Sequence, residues 1–293
     1  MNDFSKRHPV IIFIYFLLVF LMTLISTNPV ILAISVFFAI FYSFSKKDFK
    51  SICRRMLFYL GISTFVIIIN SIFADEGETI LFSIGKVSFT LEELFYGLVL
   101  SAMVIAIFSW FNYFNNVLTS DKLLYLFNNV TPKIVFSLTL SMKFIPEFQE
   151  KAQKIKDANN GLGLVTKKGL RNKFKNWSKN FLGLVAWSFE HAMENASAMK
   201  ARGYPGQKRS SYQRYHFYLL DIIILFVYVS FFSLIVWIIT FKKLNFVYYP
   251  LLGLIDFDLV SILIYGFVFL FFALPLVLKL KEIMKWRNLK FEI

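Results

Sequence analysis

The chain has 293 residues, 57% of them hydrophobic and 19% aromatic, with a mean hydropathy of +0.61, a balance that excludes an ordinary soluble domain. Lys and Arg total 32 against 18 for Asp and Glu, and because the basic residues alternate with long apolar blocks, anionic lipid headgroups and membrane orientation account for the charge rather than nucleic acid. The single cysteine, Cys53, excludes a disulfide framework and a thiolate metal centre.

No charged residue occurs from Pro9 to Ser45. One straight helix over that stretch would measure roughly 55 Å, against a hydrocarbon core of about 30 Å. The chain must therefore fold back. The only breaker is Thr27-Asn28-Pro29, which predicts two helices, Val10 to Ser26 and Val30 to Phe44. Lys6 and Arg7 ahead of the apolar run imitate a signal peptide, but no small-x-small cleavage site precedes the breaker, so an uncleaved first span is expected. Further uncharged stretches run from Met56 to Ala74, Leu94 to Phe114, Ile222 to Phe241 and Leu259 to Leu278, giving six predicted spans.

Lys46, Lys47, Lys50, Arg54 and Arg55 join spans two and three, whereas the next loop carries Asp75, Glu76 and Glu78 against Lys86. Basic loops resist translocation, so the first is assigned to the cytoplasm. Alternation then places both termini in the cytoplasm, and leaves Lys86, Lys242 and Lys243 as the basic residues of the outer loops. The outer segment Ile80 to Thr90 reads equally as a small hairpin or a surface loop.

Between spans four and five, residues 115–214 hold 17 Lys or Arg and six acids, a surplus of 11 of the chain's 14 net charges. Punctuation predicts helices from Asp121 to Asn129, from Lys133 to Phe144 with a stop at Pro146, from Glu147 to Asn160, and from Trp177 to Arg202 before Gly203 and Pro205. Phe148, Ala152 and Ile155 share one helix face, with Lys151, Lys154 and Lys156 elsewhere. The last helix carries Phe174, Trp177, Phe181, Leu184 and Val185 before turning small at Ala192, Ala196, Ala198 and Ala201. The basic run Lys167, Lys168, Arg171, Lys173, Lys175 and Lys179 reads as a linker on anionic headgroups or as a partner's docking surface. The expected organisation is an all-α polytopic membrane protein: 1–114 with about four spans, 115–214 as a cytoplasmic helical domain with long amphipathic helices, and 215–293 with about two spans.

Chemistry-bearing motifs are sparse. Gly161 to Gly169 has its glycines and lysines in the wrong order for a phosphate-binding loop, so the chain is not expected to hydrolyse ATP itself. His8, His191 and His216 lie far apart, and His191 with Glu194 is too small a set for a metal. Asp256 and Asp258 read as loop or helix-start carboxylates, and Asp221, at the entry of span five, as the partner of Arg214 and His216 in an ion pair at headgroup level.

The heptapeptide Ala198-Met-Lys-Ala-Arg-Gly-Tyr204 resembles the second Ala-Arg-Gly motif of the transmembrane T component of energy-coupling factor (ECF) transporters, the CbiQ-like family. Ser141 to Asp157 is similar to that family's first coupling segment, usually Ala-Gln-x-Ala-Arg-Gly; here Ala152 and Gln153 are kept, while Ile155-Lys156-Asp157 stands where the family has Ala-Arg-Gly. The resemblance implies a non-catalytic scaffold held by two ABC ATPase subunits and by a substrate-binding membrane S component that carries a vitamin or metal ion. It implies that the ATPases contact Ala201, Arg202, Gly203, Ala152, Gln153, Lys156 and Asp157, and that the S component packs on Phe148, Ile155, Phe181 and Leu184. No cofactor is expected on this chain, ATP and Mg²⁺ belonging to the partner ATPases. The competing readings are a polytopic lipid-modifying enzyme and a conventional ABC permease that binds substrate itself.

Overall fold

The computed structural model describes residues 4, 7–44, 49–73, 77–84, 87–128, 130–163, 169–204, 215, 217–241, 246, 248, 249, 252, 253 and 258–291. Lys46, Lys47, Asp75, Glu76, Lys86, Lys167, Lys168, Pro205, Arg214, His216, Lys242, Lys243 and Asp256 lie outside the described residues. Among the described residues there are nine helices: α1 (Pro9–Ile25), α2 (Pro29–Phe44), α3 (Phe49–Phe73), α4 (Leu91–Val117), α5 (Ser120–Asn128), α6 (Pro132–Gly161), α7 (Leu170–Ala201), α8 (Leu219–Phe241) and α9 (Leu259–Phe291). The all-α polytopic membrane fold expected from the sequence is present. The open choice at Ile80 to Thr90 resolves as a hairpin, β1 (Ile80–Ile84) antiparallel to β2 (Val87–Thr90), with an irregularity between Ile80 and Phe82.

Two compact units result, Met1–Leu123 with Tyr215–Ile293, and Leu124–Arg214. In the first, Cys53–Phe73, Leu91–Val117, Leu219–Trp237 and Leu259–Val277 are long and apolar enough to cross a bilayer. The helices α1 and α2 are equally apolar but only 17 and 16 residues long, at the short end of what a crossing needs. The break between them forms as the sequence dictates: Pro29 begins α2, the Asn28 side chain accepts from the Val30 N–H at 3.0 Å, and the Asn28 carbonyl accepts from Leu32 N–H. Thr90 caps α4 through a reciprocal capping box with Glu93.

The first unit is organised around α4, which packs on α1, α2 and α3; α1 also meets α8, α2 meets α9, and α8 meets α9. At its centre lie the buried rings of Tyr15, Phe16, Trp110, Phe271 and Phe272, in edge-to-face and offset contacts. Lipid offers apolar helix faces no water to escape, so shape and hydrogen bonds must hold the bundle. Trp110 Nε1 donates to Ser35 Oγ at 3.0 Å, Ser109 Oγ to the Tyr59 hydroxyl at 2.9 Å, and Ser63 meets Ser101 at 3.1 Å. Where α3 crosses α4, Gly97 lets the backbones approach: a Cβ there would stand 3.1 Å from the Ile67 Cα.

Two sequence expectations need correction. Pro146 does not stop a helix; α6 runs through it unbroken for 30 residues. The bond lost is the one to the Met142 carbonyl, and because Pro146 and Met142 are both exposed, water can satisfy that oxygen, while Phe144 and Phe148 on either side are held by α7. The basic run from Arg171 is helix rather than linker, since α7 starts at Leu170. Asp221, only 1% exposed, pairs with Arg7 at 3.0 Å across 214 residues of sequence; Arg214 and His216, its expected partners, lie outside the described residues.

Candidate functional site

The second unit is built on an antiparallel pair, α6 and α7. Their register can be followed contact by contact. Asn159 donates to Asn180 at 2.7 Å, Ile155 lies against Gly183, Phe148 meets Trp187 edge-on at 5.4 Å, Glu147 pairs with His191 at 3.1 Å, and Phe136 stacks on Tyr204 at 5.1 Å. Each step toward the end of one helix is a step toward the start of the other. Trp187 is the hub: it stacks on His191 at 4.8 Å, and the Lys151 ammonium lies 5.4 Å from its ring centroid.

The C-terminus of α7 is an exposed, closed cap. Gly203 takes φ +82°, in the left-handed region that glycine adopts without steric cost. Its N–H donates to the Lys200 carbonyl at 2.9 Å, and the Tyr204 N–H reaches back to the Met199 carbonyl at 3.0 Å. These are the two bonds of a Schellman motif. Ala201, Arg202 and Gly203 are all exposed, so the cap presents a guanidinium where the helix dipole already favours a cation. Among the described residues no acid pairs with Arg202.

The first segment is different in conformation. Lys156 and Asp157 are exposed but lie inside α6, a full turn before its end at Gly161. Gln153 is committed locally, its amide donating to the Asp157 carboxylate at 2.9 Å, and Ala152 is half-buried. One turn earlier Lys154 pairs with Glu150 and holds its carboxyl below the ordinary carboxylate range. The left-handed residue that ends α6 is Gly163, with φ +67°, whose N–H donates to the Asn160 carbonyl. Sequence reasoning missed this cap; the Gly161-Leu162-Gly163 spelling was the available signal.

Because the two helices run antiparallel, their C-terminal segments are not brought together. Asp157 lies level with about residue 181 of α7, and the remaining 20 residues to Ala201 separate the two segments by roughly 30 Å at 1.5 Å per residue. Of the four residues expected to pack on a membrane partner, Phe148, Ile155 and Leu184 are half-buried, the first two within the α6–α7 seam, and Phe181 is exposed on a separate face, stacked on Trp177. His191 serves the seam.

Comparison with known proteins bears on this arrangement. The model of the CbiQ family, described as "Cobalt transport protein", matches residues 4–213. A Mycoplasma genitalium protein described as "Uncharacterized protein MG181" is 35% identical over 111 residues, and its Mycoplasma pneumoniae homologue is 31% identical over 111 residues. Each match covers 36% of this chain and 26% of the relative, so the chain spans about a quarter of the length of these curated relatives.

Proposed function

The chain belongs to the CbiQ family of cobalt transport proteins, and from that premise we propose that it is the coupling subunit of an ECF-type importer. Membership makes it a multi-pass membrane component of a transporter. Beyond that, the proposed role is mechanical: two cytoplasmic ATPase subunits grip the α6–α7 pair, and their ATP-driven closure moves it, tilting or releasing a membrane S component that holds a vitamin or a metal ion. Both termini then lie on the ATPase side of the cell membrane. The chain makes and breaks no bonds; ATP and Mg²⁺ sit in its partners.

The observation that carries this reading is the cap at Ala201-Arg202-Gly203. A Schellman-closed terminus leaves few backbone groups to satisfy, so it can enter a groove at little desolvation cost, and the small Ala201 side chain lets the backbone come close. Arg202 offers five rigid donors that match a carboxylate bidentately, a geometry lysine lacks. The separation of roughly 30 Å between the two segments gives each of two ATPases its own foothold on one rigid pair. At the second foothold Ala152, Gln153, Lys156 and Asp157 would supply a mixed-charge helix face in place of a terminal arginine.

Arg202→Glu tests the role. Reconstituted with its partners, the variant is expected to lose one ATPase subunit on purification and at least tenfold of coupled uptake, equivalent to about 1.4 kcal/mol or more of lost coupling. An intact complex with normal uptake would refute the assignment of Arg202.

A further inference from the structure

The first three turns of α7 carry an exposed feature of which only Phe181 is among the residues expected to meet a protein partner. Leu170, Phe174, Trp177 and Phe181 recur at i, i+4, i+7 and i+11, forming one stripe, and they are 86%, 67%, 60% and 52% exposed. The rings form a stack, Phe174 on Trp177 at 6.0 Å and Trp177 on Phe181 at 5.2 Å. The seam with α6 is elsewhere: it begins at Asn180 and Gly183, and Asn180 is turned about 100° around the helix from Phe181. Among the described residues of the second unit, nothing covers the stripe.

Its flanks identify the occupant. Arg171 and Lys175 lie on one side and Lys173 on the other, with Lys179 on the opposite face, all exposed. No Asp or Glu occurs from Ala158 to Phe189. An aromatic stripe with a tryptophan at its middle, bordered on both sides by cations and free of acids, is the chemistry of a helix lying in the headgroup layer of an anionic bilayer, with rings among the upper acyl carbons and ammonium groups at the phosphates. The lysine stems extend the apolar contact while their charges stay in the headgroups. Two further exposed stripes among the described residues, Ile134, Leu138 and Ile145 on α6 and Leu182, Phe189 and Met193 on α7, have no comparable border of cations and suggest no occupant.

We propose that Leu170–Phe181 is an in-plane docking surface for anionic lipid. The inference requires only that the chain is a membrane protein, which its family establishes, and is independent of the proposed coupling role.

The test uses the full chain in lipid nanodiscs without partner proteins. With Cys53→Ser removing the sole cysteine, a nitroxide is placed at Phe174→Cys or, in a second variant, at Trp177→Cys. Accessibility to oxygen and to an aqueous nickel chelate is then compared between phosphatidylcholine discs and discs containing half phosphatidylglycerol. The expected result at both positions is a ratio of oxygen to nickel accessibility at least about threefold higher in the anionic discs, returning to the phosphatidylcholine value when Arg171, Lys173 and Lys175 are changed to Gln. A nickel-accessible label in both lipids would overturn the proposal, as would a label shielded from both reagents, which would mean that protein, including a second copy of this chain, covers the stripe. Arg202 is untouched here, so this test and the assembly test fail separately.

Discussion

At the scale of single residues, the polar side chains buried in the first unit govern stability. The Asp221 carboxylate accepts from the Arg7 guanidinium at 3.0 Å and from the Tyr218 N–H at 3.3 Å, tying the start of the chain to the entry of α8. Removing one partner of a buried pair leaves the other charge uncompensated, which costs more than the pair was worth. Arg7→Ala is expected to destabilise the protein by about 2–4 kcal/mol in detergent unfolding, and Arg7→Met with Asp221→Leu to recover most of that loss. A single variant with unchanged stability would show that the ion pair contributes nothing.

Beside it His8 caps α1, accepts from the Val10 N–H and stacks on Phe217 at 3.6 Å. Burial lowers its pKa below 6.5, against the opposing pull of Asp221. The folded state therefore disfavours the imidazolium: the stability this residue contributes is complete above the unfolded pKa and is lost as pH falls through the lower folded value. Unfolding temperature in detergent is expected to drop between about pH 7.5 and about pH 5.5, and His8→Asn, which keeps a cap acceptor, to flatten that slope. An identical slope in the variant would assign the pH dependence elsewhere.

At the scale of elements, prolines separate what the sequence makes legible from what it does not. Pro29 breaks the apolar run because Asn28 stands ready to cap the next helix and the long uncharged stretch forces a return. Pro146 and Pro275 lie inside helices. Whether a proline ends a helix depends on what satisfies the carbonyl it strands and what clamps the turns around it, and both are tertiary facts. At Pro146 solvent and the α7 seam suffice. In α9 a side chain from another helix intervenes: the Leu276 N–H donates to the Tyr42 hydroxyl at 3.1 Å, and that hydroxyl donates to the Phe272 carbonyl at 3.1 Å, with the Tyr15 hydroxyl also reaching the same carbonyl at 3.5 Å. Tyr42 thus joins the Leu276 N–H to the Phe272 carbonyl, the rung next to the Phe271 carbonyl that Pro275 leaves without a donor. In lipid, stranded backbone groups find no water. Tyr42→Phe is expected to cost about 1–3 kcal/mol and lower the unfolding temperature, a loss that an unchanged midpoint would exclude.

The α6–α7 pair teaches the same lesson. Ala201-Arg202-Gly203 was legible because a glycine after an alanine-rich helix is a strong local stop signal, and the cap forms where it is spelled. The amphipathic face at Phe148 and Ile155 was also legible, but periodicity cannot name what a face meets. Here α6 spends those two residues on α7, while Phe174, Trp177 and Phe181 are left outside.

At the scale of the whole molecule, one unit contains the apolar helices and the other the paired helices whose terminal segments are set roughly 30 Å apart. Hydropathy alone marked the division between oily and basic stretches. It could not reveal that α6 and α7 run as long continuous rods, 30 and 32 residues: at Pro146 the α7 seam and solvent override the expected stop, and α7 begins at Leu170, ahead of the start expected at Trp177. Rods of that length suit levers, since a displacement at one end is transmitted along an unbroken hydrogen-bonded helix.

The central claim is that this chain transmits work done by others, and the subunit inventory of its native assembly tests it most directly. Purified through a tag on this chain from native membranes and weighed intact, the complex is expected to contain two ATP-binding subunits and one small membrane protein per copy of the chain. A chain that purifies alone and carries solute across proteoliposome membranes without them would contradict the account.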